Sequence, residues 1–155
     1  KQDSTVPQKL PVTNLQESSI RVLSGVSLFQ GLPPSKYRIA LDTSDIFKFT
    51  ADEVIFREGD ESNGLYIVLA GGVIIETSVE GQLNRMKAGD LIGELGLLCH
   101  VLRTANAKAG GAGAILLHVR QEHLEELQKI EPSVYSAILR NIAEYLAKRV
   151  IELTE

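Results

Sequence analysis

The sequence has few of the residues that mark secreted, membrane-embedded or nucleic-acid-binding proteins. It contains one cysteine, so no internal disulfide can form and nothing signals a secreted disulfide scaffold. Its longest apolar run, from Ile67 to Ile75, is far shorter than the roughly 18 residues needed to cross a bilayer. A formal net charge of −4 argues against binding to nucleic acid, because nucleic-acid-binding surfaces are usually basic.

Histidine is also scarce, which bears on enzyme chemistry. The chain has three histidines, and His118 and His123 lack the spacing of a zinc site. Cys99 and His100 are adjacent, but a metal site or a nucleophile would need further partners. A metal-dependent dioxygenase or isomerase would need two close histidines with a carboxylate. We therefore predict that the protein is not an enzyme and holds no metal or cofactor, with a metal-dependent enzyme kept as a rival.

The 155 residues, 44% of them hydrophobic, are enough for one domain with a buried core. Residues 1–16 are polar, contain two prolines and predict a flexible arm or linker. The domain is predicted at 17–155, with short helices within 17–42, a β-roll at 46–119 and C-terminal helices at 121–153. In the first part, a short helix is predicted within 15–23 and another begins at Pro34.

The middle of the chain consists of short β-prone runs separated by turn signals, a pattern typical of a sandwich or jelly roll. Gly71 and Gly72 predict a turn between two strands, and the glycine-rich stretch 110–113 predicts another. The predicted strands are Ile46–Thr50, Val54–Arg57, Leu65–Ala70, Val73–Ser78, Leu83–Lys87, Ala105–Ala109 and Ala114–Val119. The predicted fold class is α+β and mainly β, an antiparallel β-roll or jelly-roll barrel flanked by short N-terminal helices and two C-terminal helices.

The last helix is predicted to begin at Pro132, since proline suits the first helical position. Apolar residues then recur every three or four positions, which predicts one buried stripe. The stripe consists of Val134, Ile138, Ile142, Tyr145 or Leu146, Val150 and Leu153.

The segment from Gly93 to Ala105 carries the strongest functional signal. It holds Glu94 and Arg103 around a short apolar turn and helix. A helix N-terminus offers unpaired N–H groups to an anion, and Gly93 allows a close backbone approach. Arg103 provides a permanent charge and a planar fork that can pair with two phosphate oxygens. Glu94 can accept a hydrogen bond from a ribose hydroxyl, so the segment predicts a site for a sugar phosphate.

This segment resembles the phosphate-binding cassette of the cyclic nucleotide-binding domain family, which includes bacterial activators, kinase regulatory subunits and nucleotide-gated channels. The resemblance covers roughly 26–150 and extends to the hairpin 52–60 and the turn 88–94. By this resemblance, Glu94 falls on the ribose-binding position and Arg103 on the phosphate-binding position. The ligand-binding residues that the resemblance implies are Gly93, Glu94, Leu95, Gly96, Arg103, Thr104 and Ala105.

Three departures from the family pattern are Ala51 in place of a glycine, Asn106 in place of Thr or Ser, and the glycine-rich stretch 110–113. None of them removes a ligand group. Thr104 follows the arginine as in cyclic-GMP-responsive kinases and in channels, some of which prefer cyclic AMP. The base is therefore open, and we expect cyclic AMP to be favoured over cyclic GMP.

The resemblance implies a regulatory module that passes ligand binding to an effector domain in a longer parent protein. The C-terminal helix is expected to close over the base, with Tyr145 or Arg149 as the capping residue, and it is also a candidate surface for a homodimer. We expect no nucleic-acid binding and no membrane insertion by this chain. The expected location is cytoplasmic, including the cytosolic domain of a membrane protein. The alternative is a degenerate domain that binds no nucleotide and serves in dimerisation or docking.

Overall fold

In a computed structural model of the chain, the described residues are 7–11, 27–77, 83–93, 97, 99 and 101–154. The described residues form the strands β1 (Gln8–Leu10), β2 (Asp45–Phe49), β3 (Val54–Phe56), β4 (Gly64–Glu76), β5 (Leu83–Lys87), β6 (Leu91–Ile92) and β7 (Asn106–Arg120). The named helices are a 3-10 turn at Ser27–Phe29, α1 (Pro34–Asp42), α2 (Gln121–Ile130) and α3 (Pro132–Thr154).

The strands form one antiparallel sheet with the path β1-β2-β7-β4-β5, while β3 pairs with β7 and β6 pairs with β4. The path is open, so the sheet curls into a roll that is not closed as a barrel. The prediction of a mainly β fold, with an antiparallel roll between short N-terminal helices and two C-terminal helices, is confirmed.

β4 and β7 are single long strands of 13 and 15 residues, so both predicted glycine turns are wrong. Their pairing shifts register near Gly71, whose φ is +74°. A Cβ at Gly71 would lie 2.1 Å from the carbonyl oxygen of Gly113 on β7. The glycines therefore let two backbones approach and bend within a continuous ladder, instead of ending the strands.

Both faces of the first half of β4, residues 64–69, are buried, which explains the apolar sequence there. Leu65, Ile67 and Leu69 pack on the side of the helices, whereas Tyr66 and Val68 face the inside of the roll. Because successive side chains of a strand point to opposite faces, a strand covered on both sides reads as one apolar run. Its inner face forms part of the wall near the candidate site.

β1 lies within the segment that the sequence predicts as a flexible arm. Its residues pair with Ile46–Lys48 of β2, and Leu10 packs against the core. The helix predicted within 15–23 lies outside the described residues. α1 begins at Pro34, as predicted.

α2 and α3 confirm the two predicted C-terminal helices. Val134, Ile138 and Ile142 of α3 are fully buried in the core, where α3 packs against α2 and the 3-10 turn. The prediction of a buried stripe is wrong at Val150, which is 58% exposed because the helix continues beyond its last core contact at Leu146. The side chain of Leu153 lies outside the described residues. Among the helices described, none has the length and apolar character needed to span a bilayer.

Candidate functional site

The backbone around Arg103 is fixed against the turn that precedes β4. The Arg103 N–H donates to the carbonyl of Asp60 at 2.8 Å, and the Gly59 N–H donates to the carbonyl of Arg103 at 2.8 Å. A bridge between Glu61 and Leu102 extends this pairing. These contacts hold the main chain against the turn, and the Arg103 side chain is directed inward. The residue is only 6% exposed.

The Arg103 guanidinium lies over an aromatic wall. Its Cζ is 4.2 Å from the ring centroid of Phe56 and 5.9 Å from that of Tyr66. Nη2 donates to the carbonyl of Gly64 at 3.1 Å and reaches Asn63 Oδ1 at 3.5 Å. Nε and Nη1 are buried and have no hydrogen-bond partner among the described residues. Two strong donors of Arg103 therefore lack a partner among the described residues, whereas buried donors normally have one.

Arg103 also has no carboxylate in ion-pair contact within the described part of the chain. Burial lowers the pKa of Arg103, while Tyr66 and Asp60 oppose this change, and an arginine stays charged near neutral pH in any case. A buried cation without a counter-ion is costly. This arrangement is typical of a site that receives an anion.

Gly93 makes room for this guanidinium. Its φ is +73°, and a Cβ there would lie 2.1 Å from Nη1 of Arg103. The close approach at Gly93 is thus to the arginine side chain, and any larger residue would displace it. Glu94, Leu95 and Gly96, the other predicted residues in this stretch, lie outside the described residues.

A cavity of about 290 Å³ opens in front of Arg103. It brings together five of the residues predicted from the sequence, which are Gly93, Arg103, Thr104, Ala105 and Arg149. Arg149 enters the lining from α3. Tyr145 does not line this cavity; its hydroxyl contacts Nη1 of Arg149 at 3.2 Å. The size is close to the lower end of small-molecule pockets.

The other nine lining residues were missed by the sequence reasoning, among them the aromatic Phe56 and the polar Ser62 and Asn84. The alternation of β5 could have placed Asn84 and Met86 on one face, since the side-chain period of a strand is two. The sequence had no means of showing that this face looks at Arg103. Asn106, the departure noted above, accepts a hydrogen bond from the Glu58 N–H at 2.8 Å and so braces the same turn.

A second polar cluster surrounds Arg120, the last residue of β7, which pairs with Gly64 in the ladder. Arg120 contacts Asp45 and Glu122 at 3.5 and 3.4 Å, and His123 Nδ1 accepts a hydrogen bond from the Arg120 backbone N–H. His118 is buried and stacks on Tyr66 with the centroids 4.3 Å apart. Burial and the nearby cations lower the pKa of His118 to about 4. The part of the chain that is described holds no group of three metal-ligating side chains.

Comparison with known proteins identifies the family. Residues 46–131 match the family model of the cyclic nucleotide-binding domain. The chain is 30% identical to the cyclic AMP receptor protein of Thermus thermophilus over 84% of its own length and 60% of that protein. It is 27% identical to cGMP-dependent protein kinase 2 of Homo sapiens over 82% of its own length and 18% of the kinase.

A solved structure gives the same assignment. The N-terminal domain of a transcriptional regulator from Streptomyces coelicolor superposes with a TM-score of 0.72 at 30% identity, covering 83% of this chain and 94% of that one. The chain thus spans less than two thirds of the full-length relatives given above. With the matching roll and the family model together, the chain belongs to the cyclic nucleotide-binding domain family.

Proposed function

We propose that this domain binds a cyclic nucleotide in the cavity in front of Arg103. The observation that carries the proposal is the buried guanidinium of Arg103, a residue that lines the cavity and whose Nε and Nη1 are unpaired among the described residues. In a site with little water, such donors strongly favour an anion of matching shape. Arg103 would hold the cyclic phosphate, and Glu94 would accept the ribose 2′-hydroxyl.

The side chain of Asn84 supports cyclic AMP over cyclic GMP. An asparagine amide donates one hydrogen bond and accepts another, which matches N7 and the N6 amino group of adenine. Guanine places an acceptor, O6, beside N7 and is better matched by arginine. The Thr104 hydroxyl can serve either base. The relatives include proteins named for each of the two nucleotides, so the pocket residues carry the preference.

The position of Arg149 supports transmission through α3. Because this residue belongs to the last helix and lines the cavity, a bound nucleotide would contact both the roll and the helix. A ligand that contacts Arg149 in one helix position and not in another shifts the population of α3. Arg149 is then the capping residue and Tyr145 its support. The effector lies in a longer parent protein, and α3 is also the candidate surface for a homodimer.

Calorimetric titration with cyclic AMP and with cyclic GMP tests the proposal. We expect binding of both, tighter for cyclic AMP, and a loss of about 100-fold or more in Arg103→Ala, since removing one side of a buried charged pair is expensive. Arg38→Ala, which changes an exposed arginine on α1, is the matched control and should bind normally. Absence of heat with either nucleotide would reject nucleotide binding and favour the docking-module alternative.

A further inference from the structure

We propose that Phe56 is a positioning residue for the ligand, because its ring holds the Arg103 guanidinium in the orientation that leaves two donors for the anion. This inference rests on the proposed function and adds to it a residue that does not itself touch the phosphate. The ring centroid of Phe56 is 4.2 Å from Cζ of Arg103, well inside the distance at which an aromatic face attracts a cation.

The place of Phe56 on β3 explains why its ring reaches the arginine. β3 pairs with β7, and the register shifts between Val54 and Phe56, where Phe56 pairs with Ala107. Such an irregularity turns a side chain away from the direction that the regular pleat would give it. Here the redirected ring forms a wall of the cavity together with the inner face of the roll.

Phe56 is in turn packed against neighbouring rings. Its ring stacks on Tyr66 with the centroids 6.2 Å apart, and Tyr66 stacks on His118 at 4.3 Å. The Phe56 ring therefore has little freedom to follow the arginine if the arginine moves. A fixed ring on one side and the Gly64 carbonyl at an edge restrict the plane of the guanidinium.

The geometry also accounts for the unpaired donors. Nη2 is used by Gly64, whereas Nε and Nη1 have no partner among the described residues, and Nη1 lies beside Gly93. A long side chain that had to be ordered at the moment of binding would lose affinity to conformational entropy. With Phe56 in place the ordering is already complete, so Phe56 should matter for ligands that carry the phosphate.

The test is a double-substitution cycle read by affinity for cyclic AMP and for adenosine, which lacks the phosphate. Phe56→Leu should weaken cyclic AMP about tenfold and adenosine less than about twofold, whereas Phe56→Tyr, which keeps an aromatic face, should stay within about twofold. In an Arg103→Gln background, Phe56→Leu should cost less than about twofold more. Phe47→Leu, a partly buried ring of the same core cluster, is the matched control.

A second readout does not depend on ligand. The Nε–H proton resonance of Arg103 should be displaced by the Phe56 ring current and should return toward its ordinary position in Phe56→Leu. An undisplaced resonance in the unsubstituted protein, equal losses in Phe56→Leu and Phe47→Leu, or an undiminished loss in the Arg103→Gln background would overturn the inference while leaving nucleotide binding intact. If the unsubstituted protein binds neither nucleotide, the proposed function itself fails.

Discussion

Arg103 and Arg120 both lie close to Gly64, yet they are held in opposite ways. Arg120 is partly exposed and contacts carboxylates of Asp45 and Glu122 within its own cluster. Arg103 is almost fully buried, contacts rings and a carbonyl, and forms no ion pair among the described residues. The same residue type thus has its charge balanced by carboxylates of the protein in one case, and in the other lines a cavity with two donors unpaired among the described residues.

The difference distinguishes an arginine whose charge is balanced by the protein itself from an arginine that is a candidate for binding a ligand. Arg120 is satisfied by groups that the chain itself supplies. Although burial pushes the pKa of Asp45 upward, Lys9, His123 and Arg120 together hold that pKa below its ordinary value. Around Arg103 the chain supplies aromatic faces and space, which stabilise a cation without neutralising it. No carboxylate among the described residues completes that second arrangement, which is the part that the proposed anion would play.

The largest expected effect concerns His118, which lies between the two arginines and is neutral in the folded protein. Its pKa is about 4 when folded and 6.5 when exposed, so the unfolded chain binds more protons between these pH values. Stability is therefore present above pH 6.5 and is lost as the pH falls toward 4, by about 3 kcal/mol from this residue. His118→Phe, which keeps a ring against Tyr66, should remove that part of the loss.

Urea unfolding at about pH 7 and about pH 4 measures this difference. The pKa of His123 is also lowered, so His123 likewise reduces stability as the pH falls. The free energy of unfolding of His118→Phe should therefore still decrease at low pH, but less than that of the unsubstituted protein. An unchanged pH dependence in His118→Phe would mean that His118 is not held neutral between the arginines.

The next effect concerns Gly93. It tests whether this glycine is needed to make room for Arg103 or only to adopt a positive φ. Gly93→Ala would bring a Cβ within 2.1 Å of Nη1 of Arg103 and should weaken cyclic nucleotide binding about 100-fold. Gly89→Ala is the matched control, because Gly89 also has a positive φ, +98°, but no heavy atom within 4 Å of the added Cβ among the described residues. It should lose stability but little affinity. Similar affinities for the two variants in calorimetry would contradict the role given to Gly93.

The smallest effect compares the two arginines directly. Arg103→Met should leave the free energy of unfolding unchanged or raise it by about 1 kcal/mol, since a buried charge with no counter-ion among the described residues is replaced by an apolar chain. Arg120→Met should lower it by about 1 kcal/mol, since contacts with Asp45 and Glu122 are lost. Thermal or urea unfolding without ligand gives both values. Equal destabilisation by the two substitutions would remove the distinction drawn here.

The predictability of the fold varied with the range of the interaction that decides each element. α1 begins at Pro34 because proline fixes the first helical turn locally. The turn predicted at Gly71–Gly72 was wrong because glycine permits both a turn and a close approach of two strands. The backbone of Gly113, far away in sequence, lies close to Gly71, and the chain at Gly71 therefore continues as a strand.

The candidate site shows the same division. Residue type alone indicated Gly93 and Arg103, since few side chains suit a phosphate and glycine permits a close approach. The structure showed that the group close to Gly93 is the Arg103 guanidinium. Phe56 and Asn84 could not be selected, because their relevance depends on β3 and β5 facing the cavity. Arg149 and Tyr145 stood as equal candidates in the sequence, and only the packing of α3 placed Arg149 in the lining and Tyr145 behind it.

The sequence by itself determined the class of elements, the order of roll and helices, and the charged residue around which the site is built. These follow from local periodicity, turn chemistry and the small number of groups that bind phosphate. The tertiary structure alone decided that the apolar runs before and after Gly71 and Gly72 form one strand. It also decided that Arg103 lies against Phe56, with two donors unpaired among the described residues. The physical reason is that burial and cross-strand approach join residues distant in the chain, and no local pattern encodes those distances.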